Sequence, residues 1–229
     1  MVTNTSLGQS QLVGQRDQYV VSYLTLRQMI GWIGLLMPFV VRIGAVLFEH
    51  IYTTDSISAY YYTGQRDVFV STVVLTGVLV ACYRTPAARD SVVAILAGLA
   101  AIGIGLFPMD PTYAPVILEK YPAMVGAACY MNRGLLGFHF LFVATFFALT
   151  FYLVYFRFDA FTPTAPTTQK VMRNKVYKWC GIGMFVAYVA IGVLAIWWKG
   201  ASIFWPETVA VVSFGVAWLV KGQTILKDR

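Results

Sequence analysis

Ser58 and His139, with Asp67 or Asp110 as a third member, are the residue types of a nucleophile, a general base and an orienting acid. Ser56 is a second candidate for the nucleophile. Three cations, Arg42, Arg66 and Arg133, have the chemistry to hold a phosphate or carboxylate headgroup. Tyr61, within the Tyr60–Tyr61–Tyr62 run, would line the boundary between headgroups and acyl chains. Glu207, His139 and Asp110 would also suit a proton or ion relay, but the opposite half of the apolar segments carries no matching charges to continue it. Metal binding is poorly served. The chain has two histidines, His50 and His139, and no local ligand spacing. Neither a metal nor another cofactor is expected.

Most of these residues also have a plainer explanation. Glu207 follows Pro206, a favourable helix start with an acid at the positive end of the dipole. Asp110-Pro111 reads as a helix stop and turn, and Arg66-Asp67 as an interfacial anchor followed by a helix-start acid. The three tyrosines fit an interfacial aromatic belt. Arg42 and His139 are harder to place, because an ionisable group at membrane depth needs a buried partner. For Arg42 the candidate partners are Asp67, Asp110 and Glu207.

The elements that carry these side chains follow from where charge is missing. Charged residues are 12% of the 229-residue chain and hydrophobic ones 59%, with mean hydropathy +0.68. A soluble domain carries about 25% charged residues, so lipid is the solvent this composition fits. Six apolar stretches, at about 27–48, 67–83, 91–108, 134–156, 177–198 and 204–220, approach the roughly 20 residues needed to cross a bilayer. The second, third and sixth are short, and Pro38 predicts a kink in the first. Strand alternation is absent. The expected fold is therefore all-α: a polytopic six-transmembrane-helix bundle over 24–222, between a mobile polar tail at 1–23 and a short tail at 223–229. Residues 1–16 lack the apolar core of a signal peptide, so the first span is expected to be retained.

Twelve of the 17 basic residues fall on one side of this arrangement, which predicts that both termini are cytoplasmic. The net charge of +7 then reads as a topology signal and a contact with anionic lipid. Nucleic acid is not an expected partner, because the bases are scattered at span ends. Three cysteines on two sides make no disulfide framework. Trp197, Trp198 and Trp205 predict one aromatic belt, and Trp179 and Trp218 the other. In the third span Ala97, Ala101 and Gly105 recur every four residues, as do Ala94 and Gly98, so this helix should sit centrally. The Thr/Pro-rich FDAFTPTAPTTQK stretch reads as a linker.

SISAYYYTGQRDVFV between the first two spans, GLFPMD closing the third and HFLFVATFF in the fourth resemble prokaryotic six-span membrane proteins related to the DRAM/Frag/Sfk type. The resemblance covers about 55–155. RNKVYKWCG and FWPETVAVVSFGVAWLVKG resemble only the prokaryotic members. It implies six helices, cytoplasmic termini and an external Ser-Ile-Ser loop in a prokaryotic cytoplasmic membrane, and it brings no catalytic residue. The long connection TYAPVILEKYPAMVGAACYMNR departs from the pattern.

Three classes of function follow. The first is an outward-facing polar pocket that binds or handles a lipid headgroup or small amphiphile. The second is an intramembrane lipid hydrolase built on Ser58, His139 and an acid. The third is a structural or scaffold subunit, partnered by a second copy or by another membrane protein.

Overall fold

The computed structural model describes residues 3–120, 122, 137–160, 162, 165–198 and 201–227, with side chains from Tyr23 onward. The protein is 78% helical, with no strand among the described residues. Its α-helices are α1 (Thr3–Glu49), α2 (Arg66–Ala81), α3 (Ala88–Leu106), α4 (Pro115–Lys120), α5 (Phe138–Tyr152), α6 (Thr168–Trp197) and α7 (Phe204–Lys221). Short 3₁₀ turns at Ser58–Tyr62 and Pro111–Tyr113 lie in the connections, and α5 ends in a π-helical turn, Leu153–Arg157.

Four helical stretches are long and apolar enough to cross a membrane: Tyr23–Glu49, Ala88–Leu106, Phe138–Arg157 and Thr168–Leu194. The stretch read as a polar tail is helical from Thr3, continuous with α1 across Pro38. α1 stops where His50 turns left-handed (φ 55°), and the Ile51 N–H closes back on the Ala45 carbonyl at 3.1 Å. The linker is shorter than the sequence suggests, because the Thr167 hydroxyl accepts from Lys170 N–H at 3.1 Å and starts α6 there.

α3 is the most enclosed of the four long helices: 56% of its apolar window is buried, against 28–33% in the others. Its small residues explain this. A Cβ added to Gly77 of α2 would lie 2.6 Å from the Gly98 carbonyl of α3, and a Cβ on Gly98 would strike α2 in return. The two backbones touch where no side chain intervenes. α1 and α7 pack the same way, since a Cβ on Gly215 would meet the Leu35 nitrogen at 2.5 Å. Gly98→Val should therefore cost about 1–3 kcal/mol or more by overpacking, read as a lower melting temperature in detergent. Gly192→Ala is the control: its Cβ meets nothing within 4 Å and should not destabilise. Equal losses in both would show that the close approach does not matter.

Trp218 departs from the expected belt. It is 1% exposed and packs edge-on against Tyr83 and Phe158, whereas Trp179, Trp197, Trp198 and Trp205 are all exposed. An indole on the inward face of α7 fills core space and contributes nothing at an interface.

Candidate functional site

The segment 50–65 between α1 and α2 is a folded plug at one end of the bundle. Residues Thr54 to Thr63 are all buried, an arrangement a simple hairpin would not produce. Its backbone is pinned from several sides. The Ile57 N–H donates to the Glu207 carboxylate at 2.6 Å, the Ile203 N–H to the Asp55 carbonyl at 2.7 Å, and the Ser202 hydroxyl to the Thr54 carbonyl at 2.6 Å. The Tyr62 hydroxyl donates to the Met109 carbonyl after α3. Glu49 at the end of α1 accepts from the Gly64 N–H at 2.7 Å and from Gln65 Nε2 at 3.1 Å. Four elements therefore fix the position of Ser58.

Ser58 begins the first 3₁₀ turn, and its Oγ lies 3.1 Å from His139 Nε2. His139, 2% exposed in the first turn of α5, places Nδ1 2.8 Å from the Phe107 carbonyl at the end of α3. A carbonyl can only accept, so Nδ1 carries the hydrogen and Nε2 is left with its lone pair facing the Ser58 hydroxyl. This is the hydrogen-bond order of a nucleophile and its base, with a backbone carbonyl in the orienting place that Asp67 or Asp110 was expected to fill. Asp67 is exposed at the start of α2. Asp110 caps its own turn, accepting from Thr112 N–H at 2.9 Å and from its hydroxyl at 2.7 Å.

Ser58 and His139 open onto a cavity of about 840 Å³ that is partly open to the surroundings. Asp55, Ser56, Ser58, His139 and Glu207 form its polar end, while Val143, Phe147 and Ala148 of α5 face Ile191 and Leu194 of α6 along its apolar wall. The backbones of α5 and α6 stay well apart, bridged by ring pairs such as Phe147–Tyr188 (centroids 4.7 Å), and this separation is what leaves the cavity. No lysine or arginine among the described residues lines it.

The arginines lie elsewhere. Arg42 donates from Nη2 to the Tyr52 carbonyl at 3.0 Å and lies over the Phe204 and Trp205 rings, with centroids at 5.1 and 5.3 Å. None of the three acids expected to pair with it does so. A carbonyl dipole and two ring faces satisfy a guanidinium without the cost of burying a second charge. Arg66 is exposed and folds back on Tyr61, 2.8 Å from its hydroxyl and 4.5 Å above its ring, while Tyr61 itself is buried. Arg133 lies outside the described residues. Ser56 turns inward to accept the Ala59 N–H at 3.1 Å. The structure thus brings Ser56, Ser58, His139 and Glu207 together and leaves Arg42, Arg66, Asp67 and Asp110 out of the cavity lining.

Asp55 was not singled out in the sequence, although the Ser-, Thr- and Tyr-rich connection that holds it is unlike a plain hairpin between spans. It is 6% exposed and accepts the Val116 N–H at 3.3 Å. Burial raises its carboxyl above the usual carboxylate range, offset in part by that N–H. The sign follows from which state holds the proton more tightly. The folded protein does, so the ionised group costs stability, and this cost appears as pH rises through the ordinary carboxylate pKa and the raised one. Asp55→Asn should remove that part of the pH dependence and melt higher than the wild type at neutral pH. An unchanged pH profile of the melting temperature would contradict this.

No group of three or more histidine, cysteine or acidic side chains among the described residues is placed to hold a metal ion. No family model, curated protein or solved structure matches the chain.

Proposed function

We propose that the chain is an integral membrane protein that holds an amphiphile in the cavity between α5 and α6. α1, α2, α3, α5, α6 and α7 make six crossings of a prokaryotic cytoplasmic membrane, both termini are cytoplasmic, and the plug faces the opposite side. Support for this orientation comes from Arg27, Arg84, Arg157, Lys178 and Lys221, which gather at the end remote from the plug. The observation that carries the reading is one cavity with carboxylate, hydroxyl and imidazole groups at its end and apolar side chains along its wall. That polarity matches a molecule with a headgroup and a chain. Among the described lining residues, two carboxylates and no lysine or arginine favour a neutral or cationic headgroup over a phosphate or carboxylate.

Ala148→Trp tests this, because it fills the wall without touching Ser58 or His139. Native mass spectrometry of protein extracted in mild detergent should find a bound lipid-sized adduct in the wild type and lose it in the variant. Wild-type protein without adduct, or the same adduct in both, would overturn the reading.

A second reading, an ester or amide hydrolase, is favoured by the Ser58–His139 hydrogen bond. Ser58 Oγ would attack the carbonyl carbon as its proton passes to His139 Nε2. The departing alcohol or amine would take that proton, and water would then release the acyl group. It ranks second because the N–H groups on either side of Ser58 are already engaged, Ile57 with Glu207 and Ala59 with Ser56, and are not free to receive an oxyanion.

A further inference from the structure

The opposite end of the bundle holds a second cavity, of about 340 Å³, among the start of the apolar part of α1, the α2–α3 connection, the end of α5 and the end of α7. Arg27, Arg84, Arg157 and Lys221 line it, with Asp90 as the single acid among the described residues. Asp90 is 1% exposed and is already neutralised, since Arg157 Nε donates to both its carboxylate oxygens at 2.8 Å. The other three cations are held only by neutral groups. Arg27 Nη1 donates to the Lys221 carbonyl at 3.2 Å, and its guanidinium lies 4.1 Å over the Tyr23 ring. Arg84 Nη1 donates to the Ala81 and Tyr83 carbonyls. Lys221 Nζ donates to the Phe158 carbonyl at 2.7 Å and lies 4.9 Å from its ring. Among the described residues no acid lies within ion-pair distance of these three. Arg27 Nε is buried with no hydrogen-bond partner at all.

A cavity walled by Arg27, Arg84 and the Lys221 amine, none of them ion-paired and Arg27 with an idle buried donor, is short of an anion. We propose that it binds the phosphate of a lipid headgroup, with Arg27, Arg84 and Lys221 as its donors. Charge-assisted bonds from a guanidinium fork and an ammonium suit phosphate oxygens. The lipid source follows from position: Arg27 opens the apolar run of α1, Arg84 follows α2 and Lys221 closes α7, so the cavity lies where helix ends meet the headgroup layer. The stacked Tyr23 and Tyr83 rings at its edge suit the same depth. This site shares no lining residue with the plug cavity and does not rest on the function proposed for it.

The test uses the full chain in an uncharged detergent, titrated separately with short-chain phosphatidic acid, the matching diacylglycerol and inorganic phosphate, with binding read by native mass spectrometry. Phosphatidic acid should bind, diacylglycerol should not, and inorganic phosphate should bind much more weakly. Arg84→Gln and Lys221→Gln should each weaken phosphatidic acid binding about tenfold. Arg84 is exposed at the rim, so its variant should fold even if the buried lysine variant does not. Diacylglycerol binding as tightly as phosphatidic acid, or unchanged affinity in folded Arg84→Gln protein, would overturn the site. Inorganic phosphate binding as tightly as phosphatidic acid would overturn the lipid source.

Discussion

Ser58→Ala should abolish any turnover of lipid esters or amides by the chain, a loss of about a thousandfold or more, while leaving amphiphile in the cavity. The hydroxyl hydrogen-bonds His139 and nothing else among the side chains described, so its removal takes away the nucleophile and strands one imidazole lone pair. That lone pair faces a cavity roomy enough for water, which keeps the structural cost near the lower end of about 1–3 kcal/mol. His139→Leu is the harsher change. It also orphans the Phe107 carbonyl, so it should lower the melting temperature as well as activity. The pair of variants separates the two readings. Turnover in wild-type protein that disappears in Ser58→Ala makes the cavity an active site. Wild-type protein with no turnover on any ester or amide lipid leaves a binding pocket whose serine and histidine serve to anchor the plug.

Arg157→Leu should be the most destabilising single substitution at the other end of the bundle. Asp90 is 1% exposed and its carboxylate depends on the Arg157 Nε for both oxygens, so the leucine leaves a buried negative charge without its hydrogen-bonded ion-pair partner. Breaking such a pair costs about 3–5 kcal/mol. For a chain of this size that is a fall in melting temperature of about 10 °C. The Arg157 side chain is 29% exposed, so Asp90→Asn, which leaves the cation able to reach water, should cost distinctly less. Equal losses would mean that the pair contributes through packing and not through the stranded carboxylate.

The helical class was legible because the few charges avoid the apolar runs, and those runs reappear inside helices, although α1 and α6 begin at Thr3 and Thr168, well before the expected 27 and 177. The central place of α3 was legible for a related reason, since small residues every fourth position have little use except to let another backbone approach. His139 was recognisable as a residue that must find a partner inside the bundle. What it found could not be read, because Ser58 and the Phe107 carbonyl arrive from two other elements at sequence separations of 81 and 32. Arg42 misled for the converse reason. A cation at that depth suggests an acid, whereas the Tyr52 carbonyl and two aromatic faces leave no trace in a list of charges. The pairing of Asp90 with Arg157, which closes the π-helical turn at the end of α5, joins residues 67 apart and was not visible in the sequence. The gap between α5 and α6 was equally hidden, since a helix written as uniformly apolar does not say from which neighbour its backbone stands away.

The account stands or falls on what occupies that gap. Protein reconstituted in bilayers containing a lipid with a photoactivatable acyl chain, irradiated and mapped by peptide mass spectrometry, tests it directly. Crosslinks should concentrate on Val143, Phe147 and Ala148 of α5 and Ile191 and Leu194 of α6, and Ala148→Trp should suppress them while sparing the outward surfaces of α1 and α3. Crosslinks spread evenly over every lipid-facing helix, and indifferent to the tryptophan, would show that the cavity holds no amphiphile.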